Sequence, residues 1–395
     1  MEFYTQPSFF LFLAAALIPA AILGFSGRRI RVYGLVVSCV FLLFLFAGDL
    51  AGMLAFVFFL ALAASVTFWT VRSWQSGEKS LLKFRVSLAL LILPLVLYKI
   101  GAVFDQNLWG FLGISYITFK AIQVLLEVRD GIIKDMNLFD YAYFLLFFAP
   151  FTSGPIDRSR RFTEDAEKIF SRDEYADMLA RGILLLLAGA VYQMVFATIL
   201  FSFYTPAPFI GDVSLFQNMV EAIKDSYAYG FYLFFDFAGY SLMAMGASYC
   251  FGIKTPRNFK APFLSLDVKD FWNRWHMTLS FWLRDFVFMR FTRWAMKKKI
   301  FKNRLQTACC GYMINFGLMG AWHGLTIDYL AYGAYYGVLF CLTDIYQKKS
   351  KFHKKHKNQK VYKAAQWALT INLIMFGMAL FSGEIHLIVG GLLYG

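Results

Sequence analysis

Apolar runs of about the length needed to cross a bilayer recur along this chain, and they constrain its fold more than any other feature. A helix needs roughly 20 apolar residues to span the hydrocarbon core. Ten stretches meet that length or approach it: Ser8–Phe25, Val32–Ala47, Leu50–Val71, Val86–Val103, Leu108–Val128, Ile183–Phe203, Tyr229–Phe251, Leu305–Trp322, Ile327–Ile345 and Ala364–Phe381. Only 16% of the 395 residues are charged, against about 25% in soluble domains. Lipid leaves backbone polar groups no partner outside the segment, so spans of this kind are helices. The expected fold class is all-α: a polytopic membrane protein of about 10–11 transmembrane helices with re-entrant or interfacial helices around a central cavity.

Charge placement tests this count. With the N-terminus outside and only these ten runs crossing, the loops Arg28–Arg31, Arg72–Arg85, Arg129–Lys134, Lys254–Lys269, Lys297–Arg304 and Lys348–Lys363 all fall inside, and each is rich in lysine or arginine. The segments near Asp49, Lys99–Asn107, Tyr204–Asp225 and the Glu384 tail fall outside and are poor in basic residues. That asymmetry is the positive-inside rule, and it places both termini outside the cell. The net charge of +14 is then topology plus attraction to lipid headgroups,; nucleic acid is not an expected partner. Five cysteines lie in or beside apolar runs without a C-x-x-C pair. They read as buried structural residues, with no disulfide framework and no metal site.

Three apolar pieces do not fit as spans: Leu138–Phe151, the charge-interrupted Phe271–Met296, and the short Ile385–Leu393. The first two read as re-entrant or interfacial helices, and Asp157–Arg181 as the site of a short amphipathic surface helix. The whole chain, 1–395, reads as one membrane domain: N-terminal helices over 1–135, a motif-bearing core over 136–345, a basic loop over 346–363, and a C-terminal helix and tail over 364–395.

The chemistry-bearing residues concentrate in Phe271–Arg290, F-W-N-R-W-H-M-T-L-S-F-W-L-R-D-F-V-F-M-R. Polar groups in such a setting are costly to bury and mark functional sites. Read as one helix, the segment places His276, Ser280 and Arg284 on a single face, with Asn273 beside them. A second imidazole, His323, stands in G-A-W-H-G at the outer end of Leu305–Trp322. Spacing leaves two readings of His323 open, a general base or a histidine capping a helix end. Asp236 in F-F-D-F-A-G-Y-S sits mid-span, where a carboxylate is expected to pair or line a pathway, orienting a histidine or meeting Arg274 or Arg284; a buried structural ion pair is the favoured reading. Thr152–Arg158, T-S-G-P-I-D-R, reads as a helix-terminating turn or a cavity rim. No phosphate-binding glycine loop, metalloprotease motif or nucleophile elbow is present in the sequence,.

Taken in order, T-S-G-P-I-D-R, F-F-D-F-A-G-Y-S, F-W-N-R-W-H-M-T-L-S-F-W-L-R-D-F and G-A-W-H-G resemble the membrane-bound O-acyltransferase family. Within it the chain is most similar to the branch that D-alanylates teichoic acids. Phe286–Trp294 lacks the Y-I-P-L-G-G-like stretch of the alginate O-acetyltransferase branch. The resemblance implies that His323 is the family's invariant histidine and His276 its second motif histidine. It implies a donor outside the chain, D-alanine held as a thioester on the phosphopantetheine arm of a cytoplasmic carrier protein, and no cofactor bound by the chain itself. Arg284, Asp285, Val287, Met289 and Arg290 would form the carrier-docking region. Asn273, Arg274, Ser280 and Asp236 would position substrate or stabilise the oxyanion. The acceptor would be a hydroxyl of (lipo)teichoic acid on the outer face of a Gram-positive cell, reached with the help of partner membrane proteins. Two rivals stand beside this expectation: an acetyl-CoA-dependent polysaccharide O-acetyltransferase, and a proton-coupled transporter or flippase using His276, His323 and Asp236 as a relay.

Overall fold

Helices account for every regular element in the described part of the computed structural model, which covers residues 3–207 and 214–394. Part of the expected outer segment Tyr204–Asp225 lies outside the described residues, as do Met1 and Glu2 of the N-terminal segment. Five helices are long and apolar enough to cross a membrane: Pro7–Phe25, Leu50–Gln75, Leu81–Val103, Arg172–Phe201 and Lys360–Ser382. The remaining expected spans also fall on helices, Leu108–Val128 only from Ile114 onward. They are either short, as Arg31–Leu45, or more polar, as Ile114–Arg129, Leu215–Cys250, Arg304–His323 and Ile327–Lys349. Ile114–Arg129 is buried nearly all round, with Lys120 and Gln123 among its buried side chains.

Packing gathers the chain into two compact units, Met1–Ala190 with Gly239–Arg257, and Val191–Ala238 with Asn258–Gly395. In the first unit, Leu138–Leu146 ends in the turn that carries T-S-G-P-I-D-R. Asp157 accepts from the Arg158 amide at 2.6 Å and from Arg161 Nε at 2.7 Å, and Thr152 bonds to Tyr240 of the F-F-D-F-A-G-Y-S motif. This locks the turn and joins two of the motifs. The amphipathic helix expected within Asp157–Arg181 is Ser159–Glu167, which buries Ser159, Phe162 and Ala166 on one side. The cysteines depart in part from expectation. All five are free and Cys250 is buried, but Cys39 is exposed, because it faces away from the neighbours of the Arg31–Leu45 helix.

The second unit holds both motif histidines. Its spine is a helical hairpin, Arg304–His323 followed by Ile327–Lys349, joined by a turn of three residues. Asn303 caps the first helix through the Gln306 amide at 2.9 Å, which fixes where it starts, and Gly324 ends it directly after His323. The two helices approach closely where Gly320 faces Gly333: a Cβ on Gly320 would lie 2.4 Å from the Tyr329 carbonyl oxygen. Small residues at such a crossing let backbones touch.

Candidate functional site

The segment Phe271–Arg290 is not one helix. Val268–Trp272 is a short helix capped by Asp267, the chain breaks over residues 273–276, and Met277–Leu283 resumes before a π-helical turn at Arg284–Phe288. His276 is the break itself, with φ 42° and ψ 51°. A non-glycine residue in this left-handed region carries about 1–3 kcal/mol of strain and persists only where its surroundings impose it. Asn258 imposes it here. Its carbonyl accepts from the Met277 amide at 2.8 Å, its side-chain oxygen accepts from Thr278 Oγ1 at 2.6 Å, and nearby Lys260 N donates to the Arg274 carbonyl at 2.9 Å. The expected single face of His276, Ser280 and Arg284 therefore does not form, because tertiary hydrogen bonds outcompete helix continuity at His276.

The break turns His276 inward. The side chain is buried, its ring standing perpendicular to Phe237 at 4.7 Å and 6.4 Å from Trp322. His276 Nε2 has no hydrogen-bond partner among the described residues. Burial, and after it the neighbouring His323 imidazole, push the His276 pKa down to about 3. His276 is thus neutral at physiological pH. His323 is half-buried at the helix end, 4.6 Å from Trp322, 4.9 Å from Phe381 and 6.0 Å from both Tyr329 and Tyr332. One buried imidazole and one accessible imidazole therefore flank a single indole.

A cavity of about 190 Å³ lies in the same unit. Asn273, Ser280 and Arg284 line it together with Lys269, and its wall reaches Met319, one turn before His323. Neither His276 nor His323 is among its lining residues. Three of the expected site residues thus meet in the cavity while the two histidines meet around Trp322. Ser280 turns its hydroxyl back to the Trp275 carbonyl at 3.3 Å. Arg274 pairs with Asp270 at 2.8 Å, and Arg284 with Asp285 at 2.9 Å while stacking over Phe281 at 4.6 Å. Among the described residues Asp236 forms no ion pair, against the favoured reading. Its carboxylate accepts from Gln193 Nε2 at 3.0 Å, since both arginines are satisfied by acids on their own segment. Gln193 reaches it from the π-helical turn Val191–Ala197, the kind of irregularity that re-aims a side chain,. Of the remaining expected docking residues, Val287 lies in the second π-turn, Met289 opens the next helix and is exposed, and Arg290 sits 5.6 Å over Phe286.

Asn258 and Phe237 were not singled out by sequence reasoning. Asn258 stands in the irregular K-T-P-R-N-F stretch, where no periodicity applies, and only the fold brings it to His276. Asn258→Ala removes the side-chain bond to Thr278 and is expected to lower activity about tenfold or more by loosening His276. Asn258→Asp, which retains an acceptor for Thr278, is expected to restore most of it. Equal activity of the two variants would show that this bond does not position the turn.

Comparison with known proteins shows the family. The model of the membrane-bound O-acyltransferase family matches residues 38–383. The chain belongs to the membrane-bound O-acyltransferase family. A teichoic acid D-alanyltransferase of Bacillus subtilis is 39% identical over 397 residues, covering 96% of this chain and 98% of that protein. One of Streptococcus thermophilus is 38% identical, covering 98% and 96%. A probable alginate O-acetylase of Pseudomonas fluorescens is more distant, at 28% identity over 85% of this chain and 66% of its own length. As a member of this acyltransferase family with several membrane-length helices, the protein is a multi-pass membrane acyltransferase.

Proposed function

We propose that this acyltransferase moves D-alanine from a thioester on the phosphopantetheine arm of a cytoplasmic carrier protein to a hydroxyl of (lipo)teichoic acid outside the cell. The observation that carries this reading is the pairing of an accessible histidine at a helix end with a cavity that approaches it from one turn behind. Similarity to D-alanyltransferases along nearly the whole chain supports the aminoacyl group over an acetyl group. The host is then a Gram-positive bacterium, both termini face outward, and partner membrane proteins pass the product on.

The reaction needs one base and one electrophile. His323 takes the acceptor's hydroxyl proton as the oxygen attacks the thioester carbonyl. The C–O bond forms, the C–S bond breaks, and the leaving thiolate recovers the proton through His323. The transient imidazolium sits at a helix C-terminus, where the dipole favours positive charge. Neutral His276 and Asn273 are placed to position the acyl group or meet the developing oxyanion, with Arg274, Ser280 and Asp236 holding the surrounding frame. Nothing but the aminoacyl group has to cross the membrane.

Carrier docking falls to the segment Arg284–Arg290, whose arginines face an acidic partner. Arg284→Glu is expected to weaken carrier binding roughly tenfold in titrations against protein in lipid nanodiscs. Unchanged binding would remove Arg284 from the docking surface. Vesicles holding the protein, supplied with D-alanyl carrier on the inner side and teichoic acid on the outer, test the whole reading. Ester-linked D-alanine on the outer acceptor is the expected result, and transfer from acetyl-CoA alone would overturn it.

A further inference from the structure

Two polar side chains on the cavity wall have no role in the reaction described above. Trp272 is 4% exposed, and its Nε1 is buried without a hydrogen-bond partner among the described residues. Its ring is held edge-on by Phe316 at 5.3 Å and Tyr336 at 5.1 Å, so the N–H cannot swing toward another acceptor. Asn315 is half-buried on the opposite element, the Arg304–His323 helix, and its Oδ1 is likewise buried and unpartnered. Both residues line the cavity of about 190 Å³. Buried donors and acceptors in folded proteins are almost always satisfied, and an unmet one calls for an explanation. Here a donor and an amide on one cavity wall offer what a secondary amide requires: one group for its C=O and one for its N–H.

We propose that Trp272 and Asn315 read an amide of the donor's pantetheine arm, an inference that rests on the carrier-borne donor proposed above. Position along the helix selects which amide. Asn315, Met319 and His323 succeed one another at four-residue intervals on one face, so Asn315 lies about 12 Å along the axis from His323. Pantetheine carries two amides. At about 1.2 Å of reach per bond, the one nearer the sulfur lies roughly 5 Å from the thioester carbon and the farther one roughly 10 Å. The farther amide matches Asn315. The cavity is smaller than the roughly 300–1,000 Å³ of pockets for drug-sized ligands, which suits a slender chain. The thioester is thereby set at a fixed depth beside His323, independent of the acyl group it carries.

The test compares carrier proteins bearing either the natural arm or an arm whose farther amide is replaced by two methylenes. Binding is measured to the full-length protein in nanodiscs. The wild-type protein is expected to bind the natural arm about tenfold more tightly. Asn315→Leu and Trp272→Phe, which keep bulk and delete the polar group, are expected to bind both carriers equally. An arm altered at the nearer amide should bind like the natural one. Equal wild-type affinity for the natural and far-amide-deleted arms, or discrimination that survives both substitutions, would overturn the inference while leaving the carrier-borne donor intact. Failure to bind any of the carriers would refute that donor and the amide site with it.

Discussion

His323→Ala is expected to abolish D-alanine ester formation, by at least the 10²–10⁴-fold that general acid–base catalysis supplies. The ring is half-buried at the end of its helix, so its loss leaves the Gly320–Gly333 crossing and the helix cap at Asn303 in place. The variant should therefore insert and melt like the wild type, and ester levels equal to wild type would reject His323 as the base. His276→Gln behaves differently. His276 stays neutral until pH falls to about 3, so above pH 5 it neither gains nor loses a proton. Its replacement should lower the rate without moving the acid limb of the pH–rate profile. A displaced acid limb would mean that His276 itself titrates in the working range.

The contrast between the two histidines was only half visible in the sequence. The all-helical membrane class followed from the length of the apolar runs and from the alternation of basic and basic-poor loops, and both imidazoles stood out because polar groups are rare in such a chain. What could not be read was the break at His276. The pattern W-H-M-T-L-S-F-W is compatible with a continuous helix, and its local propensities give no stop signal,. The left-handed backbone there is set by Asn258 and Lys260, which lie 18 and 16 residues earlier in an irregular stretch. Asp236 failed for a related reason. Its mid-span position correctly demanded a partner, but Arg274 and Arg284 were already engaged by Asp270 and Asp285, and the π-turn brought Gln193 instead. Periodicity reports which residues are inside; it does not report which of several polar groups meet.

The same limit applies to the glycines of the helical hairpin. Gly317 and Gly320 are three residues apart on the Arg304–His323 helix and look equivalent in sequence. A Cβ on Gly317 meets nothing within 4 Å, whereas one on Gly320 would stand 2.4 Å from the Tyr329 carbonyl oxygen and 3.1 Å from Gly333 Cα. Both of those contacts are backbone, so the Ile327–Lys349 helix must shift to admit a methyl group. That displacement falls one turn from His323 and moves it relative to Tyr329 and Tyr332, which face its ring. Overpacking of this kind costs about 1–3 kcal/mol, and a misplacement near 1 Å at a reacting group costs about 100-fold in rate. Gly320→Ala is therefore expected to lower both the melting temperature in detergent and D-alanine transfer, the latter by about 100-fold. Gly317→Ala should keep full activity and gain up to about 1 kcal/mol from better helix propensity. Equal activity of the two alanine variants would mean that the hairpin crossing does not set the position of His323, and that its placement depends instead on Phe381 and the turn at Gly324.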